Sequence, residues 1–223
     1  MKTTTLFIAV GASLLLSVQA VALPLLVTGF QYPSGPTTAL IRNGSPAVKA
    51  NVYAGGFLTD AGGNSFTSWC VDIFQSTNFG QTAYDYSLAV GATALGAARS
   101  DALGRLATRA YGSVTNAASS GAFQLAIWEI VNETSGTPYN LASGNFRASN
   151  ATNGSRALAQ NWLNNLGSAN QYAVSVWQSP TRQDLAVFKR VTVPEAGSLT
   201  MLSLGLVAAG IARRRKVLLT GAH

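Results

Sequence analysis

Phe66-Thr67-Ser68-Trp69-Cys70-Val71-Asp72-Ile73-Phe74 is the stretch on which the fold turns. Its aromatic and β-branched residues read as a strand that turns toward helix near its end. Immediately before it, Asp60-Ala61-Gly62-Gly63-Asn64 has the composition of a tight turn. Residues 25–30 and 48–58, bounded by Pro and Gly, read as earlier strands. Downstream the period changes. Leu95, Ala98, Ala102, Leu103, Leu106 and Ala110 fall at helical spacing, which predicts a helix over 95–111. A second helix is expected over 122–131, capped by Ser119 or Ser120. A third is expected over 155–166, with Gly167 as its stop. Residues 172–177 and 185–193 return to strand character. The order of strands, helices and strands predicts an α+β domain. Its first and last strands would pair into a sheet or sandwich, with about three helices as one insert.

The 223 residues hold 48% hydrophobic and only 10% charged side chains. About 25% charged is usual for a globular domain. The net charge of +7 sits mainly at the ends. Lys2 begins the chain, and Arg213, Arg214, Arg215 and Lys216 form one run near its close. Between residues 21 and 192 there are ten basic and seven acidic residues. No basic stripe with interleaved aromatics remains in the body, so no nucleic-acid partner is expected.

Cys70 is the only cysteine and His223 the only histidine. An internal disulfide and a Cys/His zinc site therefore have no residues to form them, and no metal or cofactor is expected. A catalytic triad inside the domain has no histidine to use.

Residues 1–22 have the three parts of a secretory signal. Lys2 supplies the charge, residues 6–18 the apolar run, and Val18-Gln19-Ala20 or Ala20-Val21-Ala22 the small residues of a cleavage site. Residues 23–192 are then the exported domain. At the far end stands Val193-Pro194-Glu195-Ala196-Gly197-Ser198, followed by the apolar residues 199–212 and the basic run 213–216. Counted from Gly197, 16 apolar or small residues form a short transmembrane helix, extended by the snorkelling arginines. The charges after it hold that end in the cytoplasm. This end closely resembles the PEP-CTERM sorting signal of Gram-negative bacteria. Val193, Pro194, Glu195 and the arginines at 213–215 match it, while Ala196 stands where a second proline is usual. The resemblance implies recognition by an exosortase, an inner-membrane intermediate, and delivery to the cell surface or extracellular matrix.

Two segments carry candidate chemistry: Trp69-Cys70-Val71-Asp72 and Phe123-Gln124-Leu125-Ala126-Ile127-Trp128. On the second helix, Phe123, Ala126, Ile127 and Ile130 form an apolar face, with Gln124 at its edge. If Cys70 reaches it, the sulfur can attack the Gln124 carboxamide, expel ammonia and leave a thioester. That requires near-attack contact, a hydrogen-bond donor at the carbonyl and exclusion of water. Trp69, Phe123 and Trp128 are the expected shields. Asp72 either orients the Cys70 region or is a simple turn residue. Glu129 and Glu133, four apart, read as a solvated helix face.

Both segments resemble motifs of the bacterial thioester domains of surface proteins, some of which are named for a Thr-Gln-x-Ala stretch. Trp69-Cys70-Val71-Asp72 is similar to the aromatic-Cys-apolar-Asp context of that family. Leu125-Ala126-Ile127-Trp128 matches the residues after its glutamine, with Phe123 in place of the usual threonine. The resemblance implies that Cys70 and Gln124 are the bonded pair and that the thioester captures an amine-bearing partner. Such a protein is an adhesin rather than an enzyme. The residues alone leave open a non-catalytic matrix or envelope protein whose cysteine is merely buried. A polysaccharide hydrolase acting through two carboxylates is the weakest reading, since no acidic pair is recognisable.

Overall fold

The strands at both ends of the domain belong to one sheet, but that sheet closes on itself. The computed structural model describes residues 22–32, 37–43, 47–80, 82–134, 136–149 and 154–191. In chain order the strands are β1 (Leu23–Phe30), β2 (Thr37–Arg42), β3 (Val48–Tyr53), β4 (Phe57–Ala61), β5 (Asn64–Cys70) and β6 (Tyr84–Val90), then β7 (Phe146–Ser149), β8 (Tyr172–Gln178) and β9 (Leu185–Arg190). Six of them form a closed antiparallel barrel in the order β1-β4-β5-β9-β8-β6. The β1–β6 pairing closes it. A slip in register between Val27 and Gly29 bends β1 so that it serves both neighbours. The first and last strands therefore do not pair as expected: β1 lies between β4 and β6, and β9 between β5 and β8.

The other three strands form a separate sheet, β3-β2-β7. The apolar run at 48–58 is thus not one strand. Its halves belong to different sheets, separated at Ala54-Gly55-Gly56, all buried. A Cβ on Gly56 would lie 2.9 Å from the Trp69 ring, so this close approach needs glycine. The expected turn before β5 is present. Gly62 and Gly63 take φ of 60° and 90° in a two-residue hairpin, and the Gly63 N–H donates to Asp60 Oδ1.

Four helices, α1 (Gly91–Leu95), α2 (Ala97–Ala110), α3 (Ala117–Asn132) and α4 (Ser155–Asn164), lie between β6 and β8. They do not form one uninterrupted insert, because β7 leaves them to join β2. The expected helix at 95–111 is broken at Gly96, whose φ is 87°. α3 begins a turn and a half earlier than its apolar pattern. Asn116 caps it, and Ser119 completes a reciprocal capping box as the third helical residue, not as the cap. β5 stops at Cys70 and no helix follows. The Val71 N–H donates to the Asp184 carbonyl, and the Asp72 carboxylate accepts from the Phe74 N–H in a side-chain turn.

An aromatic cluster ties the helices to the barrel. Trp69 meets Phe123 edge to face at 4.7 Å, and Phe123 meets Phe188 of β9 at 5.4 Å. Tyr111 joins Phe123 to Tyr172 of β8. α3 is buried along nearly its whole circumference, its polar side chains Ser120, Gln124 and Glu129 included.

Among the described residues no helix is long and apolar enough to cross a membrane. The expected signal segment up to Val21, the apolar segment 197–212 and the sorting residues Val193, Pro194, Glu195, Arg213, Arg214 and Arg215 lie outside the described residues.

Candidate functional site

β4 and β5 pair from Ala61↔Asn64 to Phe57↔Ser68, and there β4 begins. Continued for two more pairs, the ladder would set Gly55 opposite Cys70. Instead the Gly55-Gly56 backbone turns away, and α3 fills the gap. Ser120, Gln124 and Trp128 are four residues apart and so form one stripe on α3. The Gly56 N–H donates to Ser120 Oγ at 2.9 Å. The Cys70 N–H donates to Gln124 Oε1 at 3.1 Å, and Gln124 Nε2 donates back to the Cys70 carbonyl at 2.8 Å. The carboxamide is a peptide group in miniature, and here it takes the place of the missing strand. Gln124 is 0% exposed and Cys70 1%. Gln124 is therefore not at the edge of an amphipathic face but wholly inside.

The Cys70 thiol donates to the Asp72 carbonyl oxygen at 3.1 Å. Burial, the largest influence, pushes the thiol up to about 12. The Trp128 side chain beside it acts in the opposite sense. The thiol is therefore protonated at neutral pH. The Trp128 indole N–H is buried and makes no hydrogen bond of acceptable geometry, although it lies close enough to Cys70 to favour a thiolate.

The other expected residues fall into place unequally. Successive residues of a strand face opposite ways, so Trp69 turns from the sulfur toward Phe123 and the helices. Trp69 and Phe123 wall the site from the helix side, and Trp128 alone stands beside the thiol. Asp72 shows features of both readings. Its carboxylate accepts from the Phe74 N–H in a turn, its carbonyl oxygen accepts from the Cys70 thiol, and its charge adds to the upward push on that thiol.

Glu129 and Glu133 are not solvated; both are buried. Glu129 Oε1 accepts from the Asn140 N–H at 2.6 Å. Glu133 accepts from the N–H groups of Thr134, Asn145 and Phe146. Burial foremost pushes the Glu129 carboxyl up to about 7. The two carboxyl groups staple Asn140, Asn145 and Phe146 to the end of α3. Among the described residues no group of His, Cys, Asp and Glu could hold a metal ion.

Two parts of the site were not anticipated. Ser120 carries a legible signal, its four-residue spacing from Gln124. The second is a cavity of about 350 Å³ lined by Cys70, Trp128, Phe30, Tyr53, Phe57 and Phe79 among others. Its rings come from four separate segments, so no local pattern marks it.

Residues 192–216 match the family described as the PEP-CTERM protein-sorting motif. No curated protein matches the sequence. Among similar solved structures is a Cys-to-Ala mutant of the N-terminal thioester domain of a surface protein from Clostridium perfringens. It is 11% identical with a TM-score of 0.46, the match covering 61% of this chain and 89% of that one. Another is the N-terminal domain of the Streptococcus pyogenes pilus tip adhesin Cpa. It is 14% identical with a TM-score of 0.44, covering 74% of this chain and 100% of that one.

Proposed function

We propose that Cys70 and Gln124 form an internal thioester through which this exported protein attaches covalently to an amine-bearing partner. The matched sorting motif supports reading the chain as an exosortase substrate, exported and processed at the membrane. On the proposed reading it passes through the inner membrane to the surface or matrix of a Gram-negative cell. The observation that carries the chemistry is the reciprocal pair of buried hydrogen bonds between the Gln124 carboxamide and the Cys70 main chain.

That pair suits the reaction. The Cys70 sulfur attacks the Gln124 side-chain carbon. Charge develops on Oε1, where the Cys70 N–H already donates, as an oxyanion requires. Nε2 departs as ammonia and carries away the thiol proton, so no external base is needed. One C–N bond breaks and one C–S bond forms. On this reading the domain is a single-use reagent rather than an enzyme, and it takes no cofactor.

One observation favours a second reading. The same two hydrogen bonds complete an unfinished strand edge without any chemistry, and the thiol is protonated. Cys70 is then a buried free cysteine in a matrix or envelope protein. Intact mass of the purified full chain separates the two. The thioester reading expects a deficit of one ammonia relative to the sequence and adduct formation with methylamine at Gln124. A full-length mass with an alkylatable Cys70 overturns it.

A further inference from the structure

The cavity beside Cys70 has a floor and a rim. Cys70 and Trp128 are 1% and 4% exposed, whereas Phe79 and Tyr53 are 45% and 59% exposed. Between them the rings touch in series. Phe30 lies 5.0 Å from Phe79, 5.4 Å from Phe57 and 6.3 Å from Tyr53, and Phe57 lies 5.6 Å from Phe79. The polar groups of the lining are Gln75, Ser76, Thr77 and Gln183, and among the described residues that line it none is charged. The buried Trp128 N–H at the floor has no hydrogen-bond partner of its own.

Resting on the thioester reading, we infer that this cavity is the acceptor port and that it selects a primary amine at the end of an unbranched alkyl chain, while rejecting amines that bring a carboxylate in with them. Aromatic faces attract an approaching ammonium. Deeper in, no carboxylate lines the cavity to pair with that charge, although Asp72 and Asp184 act on Cys70 from outside the lining, and desolvation favours the neutral amine, which is the nucleophile. Methylenes gain by burial against the rings. A carboxylate on the same chain would be buried without a cation. The amine nitrogen attacks the Gln124 acyl carbon, and the C–S bond breaks. The Cys70 sulfur leaves as a thiol with the amine's proton, past the unpartnered Trp128 N–H. The products are a substituted Gln124 amide and free Cys70.

The test uses purified full chain with methylamine, n-butylamine and 4-aminobutyrate at equal concentrations of free amine, each adduct being timed by intact mass. Burial of methylenes at up to about fourfold each predicts that butylamine reacts roughly tenfold or more faster than methylamine. 4-Aminobutyrate, of the same length, reacts more slowly than butylamine. Phe79→Ser, or Tyr53→Ser at the more exposed rim position, brings the butylamine-to-methylamine ratio toward one. Equal rates for the three amines, or a ratio unchanged in both variants, overturns the inference. A chain that has lost no ammonia overturns the thioester instead. The port is then read on the free thiol, where aminoethyl methanethiosulfonate should modify Cys70 faster than the sulfonatoethyl reagent. Equal or reversed rates overturn the port's selectivity on their own.

Discussion

Gln124 stands where the sequence would have needed another strand residue, and this makes its loss different in kind from that of Cys70. In Gln124→Ala the Cys70 N–H and C=O are left buried without partners. This should cost about 2–4 kcal/mol in denaturant unfolding, the desolvation of two polar groups. Cys70→Ala keeps both hydrogen bonds, because they belong to the main chain, and should cost clearly less. Both variants should show the full mass with no ammonia lost. Trp128→Phe keeps an aromatic ring at this position but removes the unpartnered N–H together with part of the indole. It should slow ammonia release by roughly tenfold, about the worth of one hydrogen bond. That Cys70 and Gln124 meet was readable, because the chain offers one thiol and one matching glutamine context. That they meet through the Cys70 main chain was not. Nothing in a sequence marks which backbone atoms lie beyond the end of a neighbouring strand.

α3 was misjudged because half of its environment is made by residues with no periodicity. Phe123, Ala126, Ile127 and Ile130 suggested one apolar face, and the spacing of Glu129 and Glu133 suggested a wet one. Residues 136–146 fold over that second face and bring backbone N–H groups to both carboxyl groups. Gly144 is essential to this cover. Its φ is 96°, and a Cβ there would collide with the Glu133 carboxylate. A pH dependence arises from Glu129. Its folded-state value of about 7 lies above the ordinary 4.5, so the folded chain keeps a proton that the unfolded chain has already released. The contribution is present in full below about 4.5 and is lost as pH rises through about 7. Melting temperatures recorded across that interval should fall with pH, and Glu129→Gln should flatten the slope. The strand run at 48–58 failed for a related reason. Composition marks both halves as β, but only the packing of Trp69 on Gly56 shows that they part company. β2 and β7 carry no alternation strong enough to announce them, whereas in β6 Tyr84, Tyr86, Leu88 and Val90 alternate with Asp85, Ser87 and Ala89, a strand signal that the expected elements leave out.

The C-terminal sorting motif was more legible than the middle of the molecule, since such a signal is read locally by charge and apolar length. The sorting motif lies at 192–216, almost where Val193 and the basic run place it. Barrel closure, by contrast, depends on pairings between segments far apart, such as β5 with β9 and β1 with β6. Patterning could place strands at both ends of the domain without saying that they enclose a core. The distribution of charge yields one further expectation. Replacing Arg213, Arg214 and Arg215 with Ala removes three of the four positive charges just after the apolar segment. Cell fractionation should then find the chain retained unprocessed or misoriented at the inner membrane, with the barrel domain itself melting as before.

The nitrogen that would leave as ammonia is the same nitrogen that answers the Cys70 carbonyl. Its departure strands that oxygen in a dry interior, so the acylated domain is the tense form and the amide is the relaxed one. A captured amine brings back an N–H in the vacated place. Water brings a carboxylate, whose oxygens would confront the carbonyl instead. The architecture that completes a broken strand would thus also favour nitrogen over water as the bond's successor.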